Sequence, residues 1–479
     1  MSPQTNVHTQ DQVHSAAIIM AAGKGTRMRS SRSKILHEVA GVPMIIRVIS
    51  ATLTAGISRI VVVVGHQSDA VQSCVRERFP KADIRWAIQA EQKGTAHAVM
   101  CAEEALSDFA GQVWILSGDV PTLSSDLLVM INQDHSQESL VVTGMQLVNP
   151  KAYGRLLKDA QGSLYAIREA KDCSPEELQV NEVNAGLYRA DAQLLFAGLK
   201  TIQTNNAQGE YYLTDLVDFA YQQKATIACP ILQGEQADQL EGVNDRIDLA
   251  RAEMRAQNDL AHHLMRSGVT LLKPQTLRLS SEVIVEEDVF IEEDVTLIGQ
   301  SHVAKNVVIE RGCWIKDCII ETGAVIKAYS HLEGAQVGPQ AHVGPFARLR
   351  EGTVLEAKVK VGNFVETKKT RLAEGAKASH LSYLGDADVG KKANIGAGTI
   401  TCNYDGYQKH KTIIGAEAFI GSDTQLVAPV TVGEGAFVAA GTTVCHDVPD
   451  HALALTRPAT THKEAWATHF HKKMKMLKN

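Results

Sequence analysis

A six-residue repeat fills the C-terminal half of this chain. Large aliphatic residues recur at every sixth position: Ile414, Ile420, Leu426, Val432, Val438 and Val444. An earlier run from Val285 to Val361 keeps nearly the same step. Neither helical periodicity nor simple strand alternation gives six. A parallel β-helix does, because each short strand offers one aliphatic side chain to a narrow interior before the chain turns a corner. The repeat therefore predicts a β-helix over about residues 283–448 and favours an acyltransferase.

The repeat is interrupted twice, over residues 367–384 and 401–412. We expect a loop at each interruption, and loops on a rigid base are frequent sites of function. His380 lies in the longer interruption beside Ser379 and Tyr383. An imidazole suits proton transfer near neutrality, although a lone histidine is more often structural. Cys402 lies in the other, where it is either a covalent acyl carrier or, more simply, a small buried hydrophobe.

Composition excludes several classes of protein. The chain has 479 residues, with 48 Lys and Arg against 54 Asp and Glu. The formal charge of −6 gives no indication of a nucleic-acid partner. No run of eighteen apolar residues exists, so we expect no membrane span. Residues 1–14 are polar and lack the apolar core of a signal peptide, and the eight cysteines show no CxxC spacing. These features predict a cytoplasmic protein with reduced thiols.

The N-terminal half has an α/β pattern. Strands are predicted at residues 15–20, 60–64 and 113–116, and a helix at 44–55. Strands that alternate with helical stretches predict βαβ units and a mostly parallel sheet through about residue 228. Residues 249–265 have apolar positions at helical spacing and predict a linker helix. The basic tail at 459–479 has a helix-like composition and is expected to be a solvated end.

A glycine-rich loop follows the first strand. In AAGKGTRM (residues 21–28), Gly23 and Gly25 allow backbone N–H groups to approach phosphate oxygens, and Lys24 and Arg27 add charge. The loop matches neither the P-loop nor the dinucleotide fingerprint, so a plain tight turn remains an alternative. Lys34 has the reach for a second phosphate contact, although a lone lysine is usually a solvated charge.

Two further segments follow predicted strands. Gln89, Gln92 and the Gly94-Thr95 turn supply amides that suit the edge of a nucleobase, or form a polar loop. Asp119, in Ser-Gly-Asp after a buried strand, lies where open α/β sheets bind ligands. It is either a Mg²⁺ ligand, because this ion keeps much of its water and needs few carboxylates, or a helix N-cap.

Motifs along the whole chain resemble one family. Those in the N-terminal half include AAGKGTRM, QAEQKGTAHA, GDVP, Tyr153-Gly154-Arg155, NEVNAG and EGVNDR; those in the C-terminal half include GPFARLR, VGNFVETKK, SHLSYLGDADVG and NIGAGTITCNYDG. Together they resemble the bacterial bifunctional N-acetylglucosamine-1-phosphate uridylyltransferases/glucosamine-1-phosphate acetyltransferases. The resemblance implies a Rossmann-like nucleotidyltransferase domain followed by a left-handed parallel β-helix of hexapeptide repeats.

For the N-terminal half, the resemblance implies a site for UTP, Mg²⁺ and a sugar phosphate. The glycine-rich loop with Arg27 and Lys34 would bind the triphosphate, and Gln89, Gln92, Gly94 and Thr95 would hold uracil. Asp119 and Asn244 would ligate Mg²⁺. Gly154, Glu169 and Asn184 would hold the N-acetylglucosamine ring. Arg27 and Lys34 would then have catalytic roles.

For the C-terminal half, the resemblance implies an acetyltransferase site in which His380 is the general base. The remaining residues have two roles. Arg350 and Lys368 would clamp the sugar phosphate, with Tyr383 and Asn394 on its ring, and acetyl-CoA would contact Ala397, Asn403, Tyr404, Ser422, Ala440 and Arg457. The family also implies a homotrimer with coenzyme between subunits. Two departures bear on substrate affinity: Ser117 replaces a frequent Tyr, and Glu351 follows Arg350 where Pro is common.

The expected organisation has five parts: a disordered extension (1–14), a nucleotidyltransferase domain (15–244), a linker helix (245–268), a β-helix acetyltransferase domain (269–458) and a tail (459–479). Two alternatives remain open. One is a sugar-1-phosphate nucleotidyltransferase of single activity, in which the hexapeptide region only assembles or regulates the protein. The other is a non-enzymatic scaffold that uses both folds for binding.

Overall fold

The computed structural model describes residues 15–23, 25–65, 68–457 and 459–478. The predicted disordered extension over 1–14 and the candidate phosphate ligand Lys24 lie outside these residues. The chain divides between Asp259 and Leu260 into two compact units. Among the described residues, no helix combines the length and apolar character that crossing a membrane requires.

A twisted, mostly parallel sheet forms the centre of the first unit. Its strand order is β11-β7-β10-β6-β1-β4-β5, and β10 runs antiparallel to both β6 and β7. The strands of the unit are β1 Ser15–Met20, β2 Glu38–Val39, β3 Val42–Pro43, β4 Arg59–Val64, β5 Asp83–Ile88, β6 Gln112–Ser117, β7 Leu140–Gln146, β8 Arg155–Lys158, β9 Leu164–Arg168, β10 Glu182–Asp191, β11 Ile227–Ala228 and β12 Ile231–Leu232. The three predicted strands are confirmed as β1, β4 and β6.

Helices accompany this sheet along the chain. They are α1 Met44–Thr54, α2 Ser68–Arg78, α3 Thr95–Met100, α4 Ser125–Asp134, α5 Ala192–Leu199, α6 Asp215–Gln222, α7 Gly234–Asp238 and α8 Arg246–Arg266. Short 3₁₀ turns cover Thr26–Met28, Lys34–Leu36, Glu104–Leu106 and Glu177–Gln179. The predicted helices at 44–55 and 249–265 correspond to α1 and α8. The boundary between the two units falls within α8.

Both faces of the central sheet are buried. Ile19 packs in one hydrophobic cluster and its neighbour Ile18 in a second, and both side chains are fully buried. A strand covered on both faces needs apolar residues at every position rather than at alternate ones. This is why β4 contains the uninterrupted run Ile60 to Val64.

The second unit is a left-handed parallel β-helix with three faces. The first face contains Thr270–Leu271, Phe290–Ile291, Val308–Ile309, Val325–Ile326, His342–Val343, Lys360–Asn363, Lys377–His380, Asn394–Ile395, Phe419–Ile420, Phe437–Val438 and Leu453–Ala454. The second contains Arg278–Leu279, Thr296–Ile298, Trp314–Lys316, His331–Glu333, Arg348–Leu349, Glu366–Lys368, Tyr383–Gly385, Ile400–Cys402, Gln425–Val427 and Thr443–Val444. The third contains Ile284–Val285, His302–Val303, Ile319–Ile320, Gln336–Val337, Val354–Leu355, Arg371–Leu372, Ala387–Val389, Thr412–Ile414 and Val430–Val432.

The aliphatic residues of the repeat form the interior of this β-helix. Ile309, Ile420 and Leu426 are fully buried, as the six-residue spacing predicts. Each strand hydrogen-bonds to the equivalent strand of the next coil, so that Val285 pairs with Val303 and Val303 with Ile320. Besides these strands, the unit contains a 3₁₀ turn at Pro274–Thr276 and helix α9 at Trp466–Met476.

One expected loop is not a loop. Residues 367–384 continue the coil through strands on all three faces, and Asn363 pairs with His380 across 17 residues. Coils of 17 residues also occur outside this segment, as between Val303 and Ile320, and other coils take 18 residues, as between Gln425 and Thr443. The repeat of large aliphatic residues is lost here because Thr367 and Ala378 occupy the fully buried positions, while the solenoid continues. The second interruption does contain a loop, because Val389 pairs with Ile414 and residues 403–411 leave the coil between them.

Adjacent residues of one strand provide a test of the interior. Ile320 is fully buried, whereas 45% of Ile319 is exposed. We expect Ile320→Ala to lower the free energy of unfolding by about 2–5 kcal/mol, because it removes buried methyl groups and leaves a cavity. Ile319→Ala deletes the same atoms on the outer surface and should change stability far less. Urea unfolding of the full chain measures both; equal shifts of the two midpoints would contradict the assignment of the interior.

Candidate active sites

A cavity of about 580 Å³ lies at the carboxyl ends of β1 and β4. Backbone hydrogen bonds join the segments that follow the strands: Ala21 N donates to Val63 O, and Gln89 N donates to Val64 O. The cavity is lined by Ala21, Ala22, Gly23, Ser30, Ser31, Arg32, Ser33, Val64, Gly65, Val71, Gln89, Ala90, Glu91 and Gln92. The glycine-rich loop and the two glutamines predicted from sequence therefore face one cavity.

The segment after β5 is held closely to its neighbours. The Gln92 side-chain amide donates to Ala22 O, which ties the segment to the glycine-rich loop. The Thr95 hydroxyl accepts a hydrogen bond from Leu213 N at 3.0 Å. Gly94 has φ 112° and ψ 177°, and a Cβ there would lie 2.4 Å from Tyr211 O. Only glycine readily adopts this conformation, and it also leaves room for the Tyr211 backbone.

Asp119 and Asn244 lie beside each other. Val243 N donates to Asp119 O at 2.9 Å. A Cβ on Gly242 would lie 3.6 Å from Asp119 Oδ1 and 4.0 Å from Asn244 Nδ2. Asp119 has carboxylate oxygens and Asn244 an amide oxygen, which are the kinds of ligand that Mg²⁺ prefers. Among the described residues, no group of three or more His, Cys, Asp or Glu could hold a metal ion.

Cationic side chains already occupy these oxygens. The Lys34 ammonium pairs with Asp119 Oδ2, and both side chains are largely buried. Arg27 Nη2 donates to Asn244 Oδ1 at 3.1 Å, and the Ser117 hydroxyl donates to Asp119 Oδ1 at 2.7 Å. Positive charge is therefore favourable at both oxygens, which fits a divalent cation there. The competing expectation, that Asp119 caps a helix, is wrong, because Ser124 caps the next helix, α4.

The candidate sugar-binding residues also come together. Asn184 N donates to Gly154 O at 2.9 Å, and a Cβ on Gly154 would lie 3.5 Å from Glu169 Oε1. Burial raises the pKa of the Glu169 carboxyl, and the nearby carboxylates Asp172 and Asp215 raise it further. The charged form of Glu169 is therefore poorly solvated. A hydroxyl group of a bound ligand would stabilise it by donating a hydrogen bond.

In the second unit, His380 lies outside the solenoid with its side chain exposed. Its Nδ1 is 3.0 Å from Asn363 Oδ1, in the preceding coil. Because the Asn363 carbonyl oxygen can only accept, Nδ1 carries the hydrogen and Nε2 keeps a free lone pair. His380 is therefore oriented as a proton acceptor. It is not in a loop, as its sequence context suggests, but at the end of a first-face strand.

The candidate coenzyme ligands lie at the same corner as His380 in later coils of the solenoid. Gly398 N donates to Leu381 O, Asp423 N to Ala397 O and Gly441 N to Ser422 O. These bonds align one corner of successive coils, so the predicted residues His380, Ala397, Ser422 and Ala440 follow one another in a column that begins at Asn363. A column of small residues leading away from His380 offers a track for an extended ligand.

On the second face, the side chains of Tyr383 and Asn403 both approach Gly385. A Cβ on Gly385 would lie 2.4 Å from the Tyr383 hydroxyl oxygen and 2.7 Å from Asn403 Nδ2. Asn403 Nδ2 also donates to Asp386 Oδ2 at 2.6 Å, and Asn403 is 5% exposed. The absence of a side chain at position 385 therefore allows both polar groups to approach each other.

Arg350 and Lys368 lie on the same face, where Lys368 pairs with Gly385 of the next coil. Leu349 pairs with Thr367, so the two basic residues that follow them are adjacent in successive coils. Arg350 Nη1 donates to Glu366 Oε1 at 2.8 Å. The acid that pairs with Arg350 is thus Glu366. It is not Glu351, the neighbour in sequence expected to bear on substrate affinity.

Three other candidates lie outside the second-face strands. Asn394 is on the first face, where it pairs with Lys377 and Phe419. Tyr404 is exposed in the 403–411 loop, with Lys409 Nζ 4.2 Å from the centre of its ring. Arg457 follows the last strand of the first face and is exposed. Within one chain Asn394 thus lies on a different face from Tyr383, whereas Tyr404 directly follows Asn403 of the second-face cluster.

The structure gives no support to a thiol nucleophile at Cys402. Burial raises the pKa of the Cys402 thiol, and Cys445 raises it further. A raised pKa lowers the fraction of reactive thiolate.

Sequence reasoning missed two partner residues. Asn363 fixes the orientation of His380, and Ser117 fixes that of Asp119. Asn363 lies one coil of 17 residues upstream of His380, and a search at that spacing could have found it. No signal in the sequence marks the hydroxyl of Ser117 as a donor to Asp119.

Comparison with family models gives three matches. Residues 17–172 match the MobA-like NTP transferase domain, residues 279–372 match the GMPPB C-terminal domain, and residues 411–446 match six bacterial transferase hexapeptide repeats. The first lies in the α/β unit and the other two in the β-helix.

Curated relatives match nearly the whole chain. The bifunctional protein GlmU of Pelobacter propionicus is 47% identical over 461 residues, which cover 96% of this chain and 99% of that protein. The protein of the same name from Sorangium cellulosum is 44% identical over 96% of this chain and 97% of its own length. That from Stutzerimonas stutzeri is 44% identical over 94% of this chain and 98% of its own length.

Substitution of Gly94 tests whether the Tyr211 backbone leaves room for a side chain at this position of the first site. Gly94→Ala should destabilise the protein by more than the roughly 1–3 kcal/mol of an unfavourable backbone conformation, because the new Cβ also collides with Tyr211. Gly162→Ala is the matched control: its φ is 83°, but nothing lies within 4 Å of the added Cβ. Thermal unfolding of both variants measures the difference. An equal loss in the two would mean that the Tyr211 backbone does not limit position 94.

Proposed function

The chain belongs to the family of bifunctional GlmU proteins, and we propose on this premise that its two units catalyse two steps in the synthesis of UDP-N-acetylglucosamine. It is a nucleotidyltransferase and an acetyltransferase. Acetyl transfer from acetyl-CoA to glucosamine 1-phosphate gives N-acetylglucosamine 1-phosphate, and uridylyl transfer from UTP then releases pyrophosphate. The observation that carries this conclusion is the 47% identity to a bifunctional relative over 96% of the chain, because it covers both units.

The α/β unit is the proposed site of uridylyl transfer. Gly23, Lys24, Arg27 and Lys34 bind the triphosphate, and Gln89, Gln92, Gly94 and Thr95 hold uracil. Gly154, Glu169 and Asn184 hold the sugar. The sugar phosphate oxygen attacks the α-phosphorus of UTP and pyrophosphate leaves, so no protein nucleophile is needed. Holding both phosphates in line can supply about 7–11 kcal/mol of the barrier reduction.

Asp119 and Asn244 are the proposed ligands of Mg²⁺. Two neighbouring oxygen donors, each next to a cationic side chain, support this assignment. Bound there, the ion would neutralise charge on the phosphates. With Mg²⁺ bound to Asp119 and Asn244, the side chains of Lys34 and Arg27 would no longer be held by these two residues. They would then be available to contact phosphate oxygens.

The β-helix is the proposed site of acetyl transfer. His380 Nε2 takes a proton from the glucosamine 2-amine as its nitrogen attacks the thioester carbonyl. The new C–N bond forms, the C–S bond breaks, and the CoA sulfur leaves. Asn363 keeps Nδ1 as the donor, so that Nε2 is the atom that accepts the proton. Arg350 and Lys368 hold the sugar phosphate, Tyr383 and Asn394 its ring, and Ala397, Asn403, Tyr404, Ser422, Ala440 and Arg457 acetyl-CoA.

A homotrimer is the proposed assembly. The residues assigned to acetyl transfer lie on two faces of the solenoid, with Tyr383 on the second and Asn394 on the first. A groove between two copies could bring the first face of one subunit to the second face of another. The expected cytoplasmic location and the five-part division with boundaries at residues 14, 244, 268 and 458 remain predictions.

A single-activity nucleotidyltransferase with a structural hexapeptide domain is the second candidate. It would lack acetyl transfer from acetyl-CoA to glucosamine 1-phosphate. The oriented His380–Asn363 pair favours the bifunctional enzyme, because a structural solenoid does not require an exposed imidazole with a fixed proton acceptor. Release of free CoA, followed with a thiol reagent, separates the two candidates.

Replacing His380 tests the acetyltransferase assignment. We expect His380→Ala to lower kcat for acetyl transfer about 10²- to 10⁴-fold, the usual contribution of a general base. Cys402→Ala is the control and should retain nearly full activity, because its thiol is not a nucleophile here. Uridylyl transfer by the same preparations reports folding. A His380→Ala enzyme with normal acetyl transfer would refute the assignment, and loss of activity in Cys402→Ala would favour a covalent thiol mechanism.

Replacing Asp119 tests the metal assignment. Asp119→Ala should weaken binding of Mn²⁺, used as a paramagnetic substitute for Mg²⁺, and should abolish most uridylyl transfer, because a charged oxygen ligand is lost. Electron paramagnetic resonance measures free Mn²⁺ with UTP present. Asp126→Ala, which removes an exposed carboxylate from the first turn of α4, is the control. If Asp119→Ala and Asp126→Ala bind Mn²⁺ as the unmodified protein does, the metal ligands lie elsewhere.

A further inference from the structure

The amide of Gln89 is held at both of its N–H groups. Its Nε2 donates to Gly94 O at 3.1 Å and lies 3.1 Å from His97 Nδ1. An amide nitrogen has two hydrogens and no lone pair to accept with, so His97 Nδ1 must be the acceptor in this contact. His97 is therefore the tautomer that carries its hydrogen on Nε2.

This arrangement leaves one polar atom of Gln89 for a ligand. The side chain is 4% exposed and lines the cavity at the ends of β1 and β4. Oε1 has no hydrogen-bond partner among residues 15–23, 25–65, 68–457 and 459–478. A carbonyl oxygen has lone pairs that accept hydrogen bonds, so Oε1 is available to a donor that enters the cavity. Gln89 is thus a fixed acceptor at the wall of the cavity.

His97 is itself held in place. It lies on α3, and its ring stacks on Tyr211 with 6.3 Å between centroids and 30° between planes. Ala96 N donates to Tyr211 O, which fixes the helix against the same residue. The imidazole therefore has little freedom to turn its acceptor away from Gln89.

We propose that His97 is a positioning residue that makes the site select uracil over cytosine, by fixing the amide of Gln89 with its oxygen toward the base. The inference rests on the proposed function, in which Gln89 holds uracil. Uracil presents an N3–H donor, which Oε1 accepts. Cytosine has an unprotonated N3 that faces the same oxygen as a second acceptor. Rotating the amide would present Nε2 to cytosine, but Oε1 would then face Gly94 O, which can only accept, and His97 would have to move its hydrogen from Nε2 to Nδ1.

Substitutions at position 97 separate the effect of the Nδ1 acceptor from the effect of the stacked ring. His97→Phe keeps a ring for stacking but has no acceptor. His97→Asn loses the ring but offers Oδ1 where Nδ1 lies. The full-length protein is assayed for uridylyl and cytidylyl transfer at saturating N-acetylglucosamine 1-phosphate, with kcat and KM determined for UTP and CTP.

We expect His97→Phe to lower the ratio of kcat/KM for UTP to that for CTP about 5- to 10-fold, the effect of one lost hydrogen bond. The change should appear in the nucleotide KM, with kcat for UTP and KM for the sugar phosphate within about twofold of the unmodified protein. His97→Asn should restore most of the ratio. A purely structural role would instead lower kcat for both nucleotides alike.

Two outcomes would overturn the inference: an unchanged ratio in His97→Phe, or equal losses in His97→Phe and His97→Asn. Should His97→Phe fail to fold, as judged from acetyl transfer and thermal unfolding, His97→Leu serves as the variant without an acceptor. Gln89→Ala tests the uracil site separately from the role of His97. If it leaves the ratio unchanged, the base is not read by Gln89 and the proposed uracil site is wrong. If only Gln89→Ala lowers the ratio, the uracil site stands and His97 has no part in it.

Discussion

The narrow interior of the β-helix is the constraint on which the second unit depends. Each short strand can place one aliphatic side chain inside, and Ile309, Ile320 and Ile420 meet that demand with no exposed surface. Burying a residue of this size contributes about 1.5–3 kcal/mol. Because the interior uses only these positions, the outward residues are free to differ from coil to coil. The candidate site residues His380, Arg350 and Lys368 occupy such positions, and the pairing that stabilises the solenoid also brings residues of successive coils next to each other.

The architecture could be predicted from the sequence because it depends on periodicity and composition. The six-residue spacing predicts the β-helix, and the uninterrupted run from Ile60 to Val64 predicts a strand buried on both faces. The error at residues 367–384 has a specific cause. Thr367 and Ala378 fill interior positions that large aliphatic residues fill in other coils, so the repeat disappears from the sequence just as it would at an inserted loop, and only backbone pairing distinguishes the two cases.

Most of the candidate site residues could be named from motifs, but their partners could not. The carboxylate that pairs with Arg350 is Glu366, one coil away, and not its sequence neighbour Glu351. The contact between Lys34 and Asp119 joins two loops that follow different strands. Such pairs depend on rotamers and on coil register, which periodicity does not encode. Motifs likewise group Asn394 with Tyr383, whereas within one chain the two lie on different faces.

The 403–411 loop leaves the solenoid and returns without altering its register. Val389 still pairs with Ile414, and the interior continues through Ile414 as through any other coil. The loop is folded largely on itself, with Asp405 accepting hydrogen bonds from Tyr407 N, Gln408 N and the His410 ring. Its length and composition can therefore change in evolution with little penalty to the fold. The β-helix thus carries a segment whose sequence is independent of the demands of its interior, between coils that keep their pairing.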